Sequence, residues 1–289
     1  MVYSLPKISK APFQINGPIH FAFSGGRTSA YMLKAFLDAH GGALPKDCFI
    51  TFQNTGREMP ETLDFVAACA SRWQVKTYWL EYAPDTEDGF IEVGHNSAAR
   101  NGEPFEKLIK KKGYLPNVVA RFCTAELKIR VAKKFMMKQG ITHWTNILGL
   151  RADELKRVLR SEKDTSQRWR NHCPLARTGT TRRHISAFWK EQPFNLMLLD
   201  NQGRTPLGNC DGCMMKSEKS RAALVRDYPD RAAWWQRMEN SISTSKGKLA
   251  TFDKNQSWSQ LTNFINRQGD WIFKNENTFC DNVHGGCTD

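Results

Sequence analysis

Ile19-His20-Phe21-Ala22-Phe23 runs into Ser24-Gly25-Gly26-Arg27-Thr28-Ser29. The stretch reads as a short buried strand, a glycine turn and a helix from about Ser29 through Leu37. A strand that ends on two glycines and opens a helix is a phosphate-binding design. Glycine lets the backbone turn tightly and approach an anion without a Cβ clash, and the helix N-terminus offers unpaired N–H groups and partial positive charge. Ser24, Thr28 and Ser29 add hydroxyl donors, and Arg27 adds charge where it points inward. The Gly-Lys-Ser/Thr ending and the four-residue spacer of a Walker A loop are missing.

Outward from this loop, strands and helices alternate. Residues 48–53 (CFITFQ) form the second strand, and Pro60 opens a helix from about Glu61 to Arg72; proline suits the first helical position because its missing N–H would be unpaired there. Residues 75–82 alternate as a strand, 124–138 form a basic amphipathic helix, and 143–150 form the next strand. The pattern predicts an α/β fold: an open, mostly parallel twisted sheet with helices on both faces. Residues 151–182 are dense in arginine and poor in apolar periodicity, which predicts a loop over the active face. A short helix is expected over 184–191. Gly203, Gly208 and Gly212 bracket a loop carrying Cys210 and Cys213, and 217–240 hold two helices split near Tyr228-Pro229. The last fifty residues are weakly patterned. The expected division is a nucleotide-binding core over 1–160 and a basic, cysteine-containing C-terminal region over 161–289.

Hydrophobic residues make up 40% of the 289 and charged residues 25%, an ordinary globular composition. No apolar run approaches the ~20 residues that span a membrane, and MVYSLPKISKAPFQ lacks the apolar core of a signal peptide. The expectation is a cytoplasmic protein without a membrane partner. The formal charge of +13 attracts polyanions such as nucleotides and nucleic acid. In that compartment the eight cysteines are reduced thiols rather than disulfides. Cys48 and Cys69, in apolar surroundings, read as core residues.

Ser24 to Ser29 resembles the SGG-x-[TD]-S loop of the adenine-nucleotide α-hydrolase, or PP-loop, superfamily. Asn54-Thr55-Gly56-Arg57-Glu58-Met59-Pro60-Glu61-Thr62 resembles the NTG-x-E-x-PET segment of phosphoadenosine-phosphosulfate (PAPS) reductase-like proteins. Arg121-Phe122-Cys123-Thr124 with Lys128, and Gly149-Leu150-Arg151-Ala152-Asp153-Glu154, are similar to further landmarks of that group, particularly its phage and prophage members. The resemblance implies a nucleotide across the carboxyl ends of the strands. Adenine would lie against backbone near Phe52 and Gln53, and Asn54, Thr55, Gly56 and Glu58 beside the phosphates. Gly149 and Arg151 would close the opposite side. Glu58, Arg151 and Cys123 are the implied catalytic residues, whereas Glu61 reads as compensation of helix N-terminal charge.

The superfamily supports two chemistries. One cleaves ATP between its α and β phosphates, with Mg²⁺ neutralising the leaving pyrophosphate, and often then inserts sulfur. The other reduces a sulfonucleotide through a cysteine. The Glu-Cys-Gly-(Ile/Leu)-His motif of the reductases has no match in Phe279-Cys280-Asp281-Asn282-Val283-His284-Gly285-Gly286-Cys287.

Cys210-Asp211-Gly212-Cys213 has chelating spacing for zinc or iron. With Cys123 it is similar to the one-plus-C-x-x-C iron–sulfur site of tRNA thiolation enzymes in this superfamily, and Cys173 before Pro174 is a fourth candidate ligand. The alternative for Cys123 is a reactive thiol activated by Arg121 and Lys128. The arginines between 151 and 183 suit bidentate phosphate contacts. They serve the nucleotide, a nucleic-acid acceptor, or both. Three readings stand at this point: sulfur transfer or sulfonucleotide chemistry, ATP-dependent nucleic-acid modification, and a non-catalytic nucleotide- or nucleic-acid-binding module.

Overall fold

A computed structural model describes residues 10–243 and 250–267. Six strands form one open sheet: β1 (Ile19–Ala22), β2 (Cys48–Asn54), β3 (Thr77–Tyr82), β4 (Phe90–Val93), β5 (Trp144–Ile147) and β6 (Trp169–His172). Their order is β4-β3-β2-β1-β5-β6. β1 pairs parallel with β2 and β5, β2 with β3, and β5 with β6, while β4 runs antiparallel to β3.

Alternation along β1 separates two faces. Ile19 and Phe21 enter the main apolar core with Ile50 and Phe52 of β2. That core is covered by α1 (Arg27–Ala39) and α2 (Pro60–Arg72). α3 (Glu103–Lys112) adds Phe105, Leu108 and Ile109 to it, and it extends to α7 (Arg182–Glu191), α8 (Glu218–Asp227), α9 (Pro229–Asn240) and α10 (Trp258–Arg267). On the other face a π-helical segment, Thr124–Arg130, continues into α4 (Val131–Lys138). Val131, Phe135 and Met136 of α4 pack there with Leu80, Trp144 and Trp169.

The segment 151–182 departs from expectation. It holds a 3₁₀ turn (Ala152–Glu154), α5 (Leu155–Lys163), β6 and α6 (Pro174–Arg177). Its periodicity is hidden because α5 buries only Val158 among its nine residues, and because β6 is a four-residue edge strand whose Arg170 is exposed. Since β6 lies past residue 160 and completes the sheet, the N-terminal and C-terminal regions share one sheet. The main core likewise runs from Phe13 to Ile265. The split at Tyr228-Pro229 is present, with α8 ending at Asp227 and α9 opening on Pro229.

Candidate functional site

After β1 the chain builds outward to β2, β3 and β4, and after α4 it returns to the other side of β1 with β5 and β6. The carboxyl ends of β1 and β5 are therefore a topological switch point, where open parallel sheets hold ligands. A cavity of about 650 Å³ lies there and extends down the α4-covered face. Its wall includes Ser24 and Ser29, Gln53 and Thr55, Gly149, and Cys123, Cys210 and Cys213. Arg121, Lys128, Lys133, Arg157 and Arg160 also line it, against a single acid, Asp164.

Gly25 has φ +78°, a conformation that glycine tolerates, and a Cβ on it would stand 2.8 Å from Thr62 Cγ2 and 3.0 Å from Val66 Cγ2. The turn is thus pressed onto α2, which aims the first turn of α1 at the cavity. Ser29 Oγ donates to Gly26 O (3.0 Å) and lies 3.0 Å from Ser24 Oγ. Arg27 points elsewhere. Its guanidinium donates to Asn195 Oδ1 (2.9 Å), Thr205 Oγ1 (2.9 Å) and the carbonyls of Leu196 and Leu198, so its charge ties the 195–205 segment to α1. Arg151 is likewise buried: it donates to Thr28 Oγ1 (3.2 Å) and Asp153 Oδ1 (3.0 Å) and pairs with Glu154. It braces Thr28 against the turn after β5, and Gly149 beside it lines the cavity.

The loop after β2 is held from within. Asn54 Nδ2 donates to Glu81 Oε1 (2.6 Å) and Ala99 O (2.8 Å), and its Oδ1 accepts from Gly56 N. Gly56 (φ +78°) leaves no room for a Cβ, which would meet Gly102 N at 2.8 Å. Glu58 Oε2 accepts from Thr55 N (2.9 Å) and Thr55 Oγ1 (2.8 Å). Its other oxygen faces Lys128 Nζ at 3.7 Å and accepts from Cys210 Sγ at 3.9 Å.

Glu58 and Cys210 also form a β-bridge, so the loop after β2 and the cysteine loop are zipped together. Asp211, between the two cysteines, accepts from Arg57 Nη2 (2.7 Å), Trp235 Nε1 (2.8 Å) and Arg231. Burial, and then Glu58, push the Cys210 thiol up to about 12. Burial also raises Cys123 above its ordinary value, outweighing the helpful charges of Lys128 and Arg121. Both are therefore protonated thiols at neutral pH.

Three thiols on one cavity wall are the soft donors that iron or zinc takes. Among the described residues no three His, Cys, Asp or Glu side chains already converge as a metal-ligating group. Cys173 is apart from them, fully buried with Leu150 and Val158. Cys280, His284 and Cys287 lie outside the described residues.

A polar row on the cavity floor went unnoticed in the sequence. His20 Nδ1 donates to Asn146 Oδ1 (2.6 Å), and Thr51 Oγ1 donates to His20 Nε2 (2.6 Å). Asn146 Nδ2 donates to Asn171 Oδ1 (2.7 Å), and Asn171 Nδ2 to Ser161 O (3.0 Å). Burial lowers His20 to about 4, so the ring is neutral. The available signal was a polar residue at an alternating position of an otherwise apolar strand, as in Ile19-His20-Phe21.

The chain is 30% identical over 224 residues to the uncharacterized nin region protein ORF290 of Escherichia phage lambda, covering 71% of this chain and 69% of that protein. No family model matches it. Among solved structures, a PAPS reductase from Candida auris in its phosphate complex superposes with a TM-score of 0.41 at 16% identity, over 66% of this chain and 84% of that one. The U34-tRNA thiolase NcsA from Methanococcus maripaludis, with its [4Fe-4S] cluster, also gives 0.41, at 12% identity over 88% and 83%. Among the described residues no helix is long and apolar enough to cross a membrane.

Proposed function

We propose that this chain, which belongs to the family of the phage lambda nin region protein ORF290, is a PP-loop enzyme that binds ATP or a related adenylyl nucleotide and acts in sulfur transfer or sulfonucleotide chemistry. One observation carries the reading: the glycine loop, the loop after β2 and three thiols line a single cavity at the switch point. The first turn of α1, with Ser24 and Ser29, holds phosphate oxygens through N–H and hydroxyl donors. Lys128 and Arg121 offset their charge. Where ATP is the substrate, Mg²⁺ carried on its phosphates would supply charge neutralisation for the leaving pyrophosphate.

Cys210 stands beside the loop after β2, with its Sγ 3.3 Å from Thr55 Oγ1. Cys210 Sγ donates to Glu58, so Glu58 is the group placed to take its proton when a sulfur, a metal or an electrophile binds there. Cys123, Cys210 and Cys213 are the residues that would hold an iron–sulfur cluster or zinc. A cluster bound there would supply an iron to hold sulfur; without one, the same thiols would serve a cysteine-based reductase.

Five cations against one acid in the cavity wall favour a second reading, ATP-dependent modification of a nucleic acid. Titration calorimetry with ATP, a non-hydrolysable analogue and PAPS tests the nucleotide assignment. Binding lost in Gly25→Asp supports it, and nucleotide affinity unchanged in that variant overturns it. Iron, acid-labile sulfide and zinc measured on anaerobically purified protein divide the chemistries. Tight nucleotide binding with no pyrophosphate, AMP or sulfite formed indicates a non-catalytic module.

A further inference from the structure

The nucleotide of this reading fills only the upper part of the cavity. Its phosphates belong at Ser24 and Ser29, and its ring at the end of β2, where Gln53 stands level with Ser24, two residues past the Ala22–Thr51 pair. The His20–Asn146–Asn171 row lies four residues lower, about 13 Å along the strands. His20 pairs in register with Asn146, and Asn146 with Asn171. Two residues deeper, Trp144 and Trp169 stack at 5.1 Å with their planes 20° apart.

This lower chamber has the character of a built site. Three adjacent strands each place a polar side chain under the cavity, joined in one hydrogen-bonded row. The row spends one amide hydrogen and one lone pair of Asn146 and of Asn171 on its own members and Ser161. Each amide keeps a second hydrogen and a second lone pair. An edge with adjacent donors and acceptors is therefore offered above an indole floor.

The cavity reaches the surface beside this row. Ile129, Arg160, Asp164 and Gln167 line the cavity and are exposed. They lie between the helix that leads into α4 and the α5–β6 connection, at the β6 edge of the sheet. The loop carrying Cys210 is at the other end. Lys133 and Arg160 put positive charge beside this mouth.

We propose that the lower chamber seats the acceptor, a planar heteroaromatic ring bearing an anionic group, which enters past Arg160 and is read on its edge by Asn146 and Asn171. The assignment rests on the nucleotide reading of the upper chamber, and it places the acceptor beneath the thiols of Cys123 and Cys210. A free mononucleotide and a base carried on a single strand share this chemistry.

The test saturates the protein with a non-hydrolysable ATP analogue and then titrates cytidine 5′-monophosphate, or in a parallel arm a short single-stranded oligonucleotide, following tryptophan fluorescence. Saturable quenching with the analogue in place is expected. Asn171→Ala should weaken the second ligand about tenfold, the scale of one lost hydrogen bond, and leave the analogue's affinity unchanged. Arg160→Glu, at the exposed mouth, should weaken the same probes without touching the polar row, and it keeps the test open if Asn171→Ala does not fold.

Binding of the mononucleotide as tightly as the strand indicates a small acceptor, and binding of the strand alone indicates nucleic acid; either supports the chamber. Loss of analogue affinity in Asn171→Ala overturns it, because the ring read there is then the nucleotide's own. Absence of binding by both probes overturns it as well. If the analogue itself fails to bind wild type, the nucleotide reading falls separately, and probe binding to the free protein that is sensitive to Asn171→Ala still upholds the chamber.

Discussion

Arg57 Nη2 lies 2.7 Å from Asp211 Oδ2 with both side chains enclosed, joining the loop after β2 to the middle of the cysteine loop. Arg57 also lies over the Trp234 ring at 4.8 Å. Asp211 is shared with Arg231, so its one charge serves two arginines. Asp211→Ala leaves the buried Arg57 and the half-buried Arg231 without their shared carboxylate and should cost about 3–5 kcal/mol, against which the apolar packing of alanine is minor. Urea denaturation measures the loss. Alkylation of Cys210 and Cys213, followed by mass spectrometry, should accelerate in the same variant because their loop loses its anchor.

Gly25→Ala should disable the phosphate loop locally. Alanine meets both the positive φ and the Thr62 methyl at 2.8 Å, so a destabilisation of about 1–3 kcal/mol is expected. Nucleotide affinity should fall while far-ultraviolet circular dichroism stays native. Thr62→Ala in the same chain removes the nearest contact but leaves Val66 Cγ2 at 3.0 Å and the backbone strain, and should restore affinity only in part.

Cys210 should react slowly with iodoacetamide at neutral pH, since its thiol is pushed up to about 12. Its neighbours act with opposite signs. Glu58 raises the thiol and Lys128 lowers it, so Glu58→Gln should speed alkylation of Cys210 and Lys128→Met should slow it. Rates that move together in both variants would show loop opening, not charge, to be in control.

His20 makes stability depend on pH. Its folded value of about 4 lies below the unfolded value of 6.5, so between these the unfolded chain binds more protons. Stability is therefore full above pH 6.5, declines as pH falls, and levels off near pH 4, a loss of up to about 3 kcal/mol. His20→Gln should flatten that slope in urea titrations at a series of pH values.

Much of the scaffold was legible because local rules and tertiary packing agree. Ser24 to Ser29, Pro60 and the Tyr228-Pro229 break act through turn and cap preferences that need only neighbours in sequence. Other assignments depended on where side chains point. Arg27 sits inside the glycine loop by sequence, yet its guanidinium is drawn to carbonyls at 196 and 198. Arg151, Asn54 and Gly56 follow the same rule: they shape the site from behind, whereas Thr55, Gly149, Lys128 and Arg160 face the cavity.

The sequence alone determined the strand–glycine turn–helix unit and its helix-terminal donors, the alternation that makes a parallel sheet, and the supply of thiols and cations. These follow from backbone sterics and hydrophobic periodicity, which are properties of short segments. Only the tertiary structure decided that Cys123 shares a cavity with Cys210 and Cys213 while Cys173 does not, that one aspartate between the cysteines locks the loop to Arg57, and that His20, Asn146 and Asn171 align across three strands. Those relationships join residues that are distant in sequence, up to 154 positions apart. Strand order and burial create them, and no local preference records either.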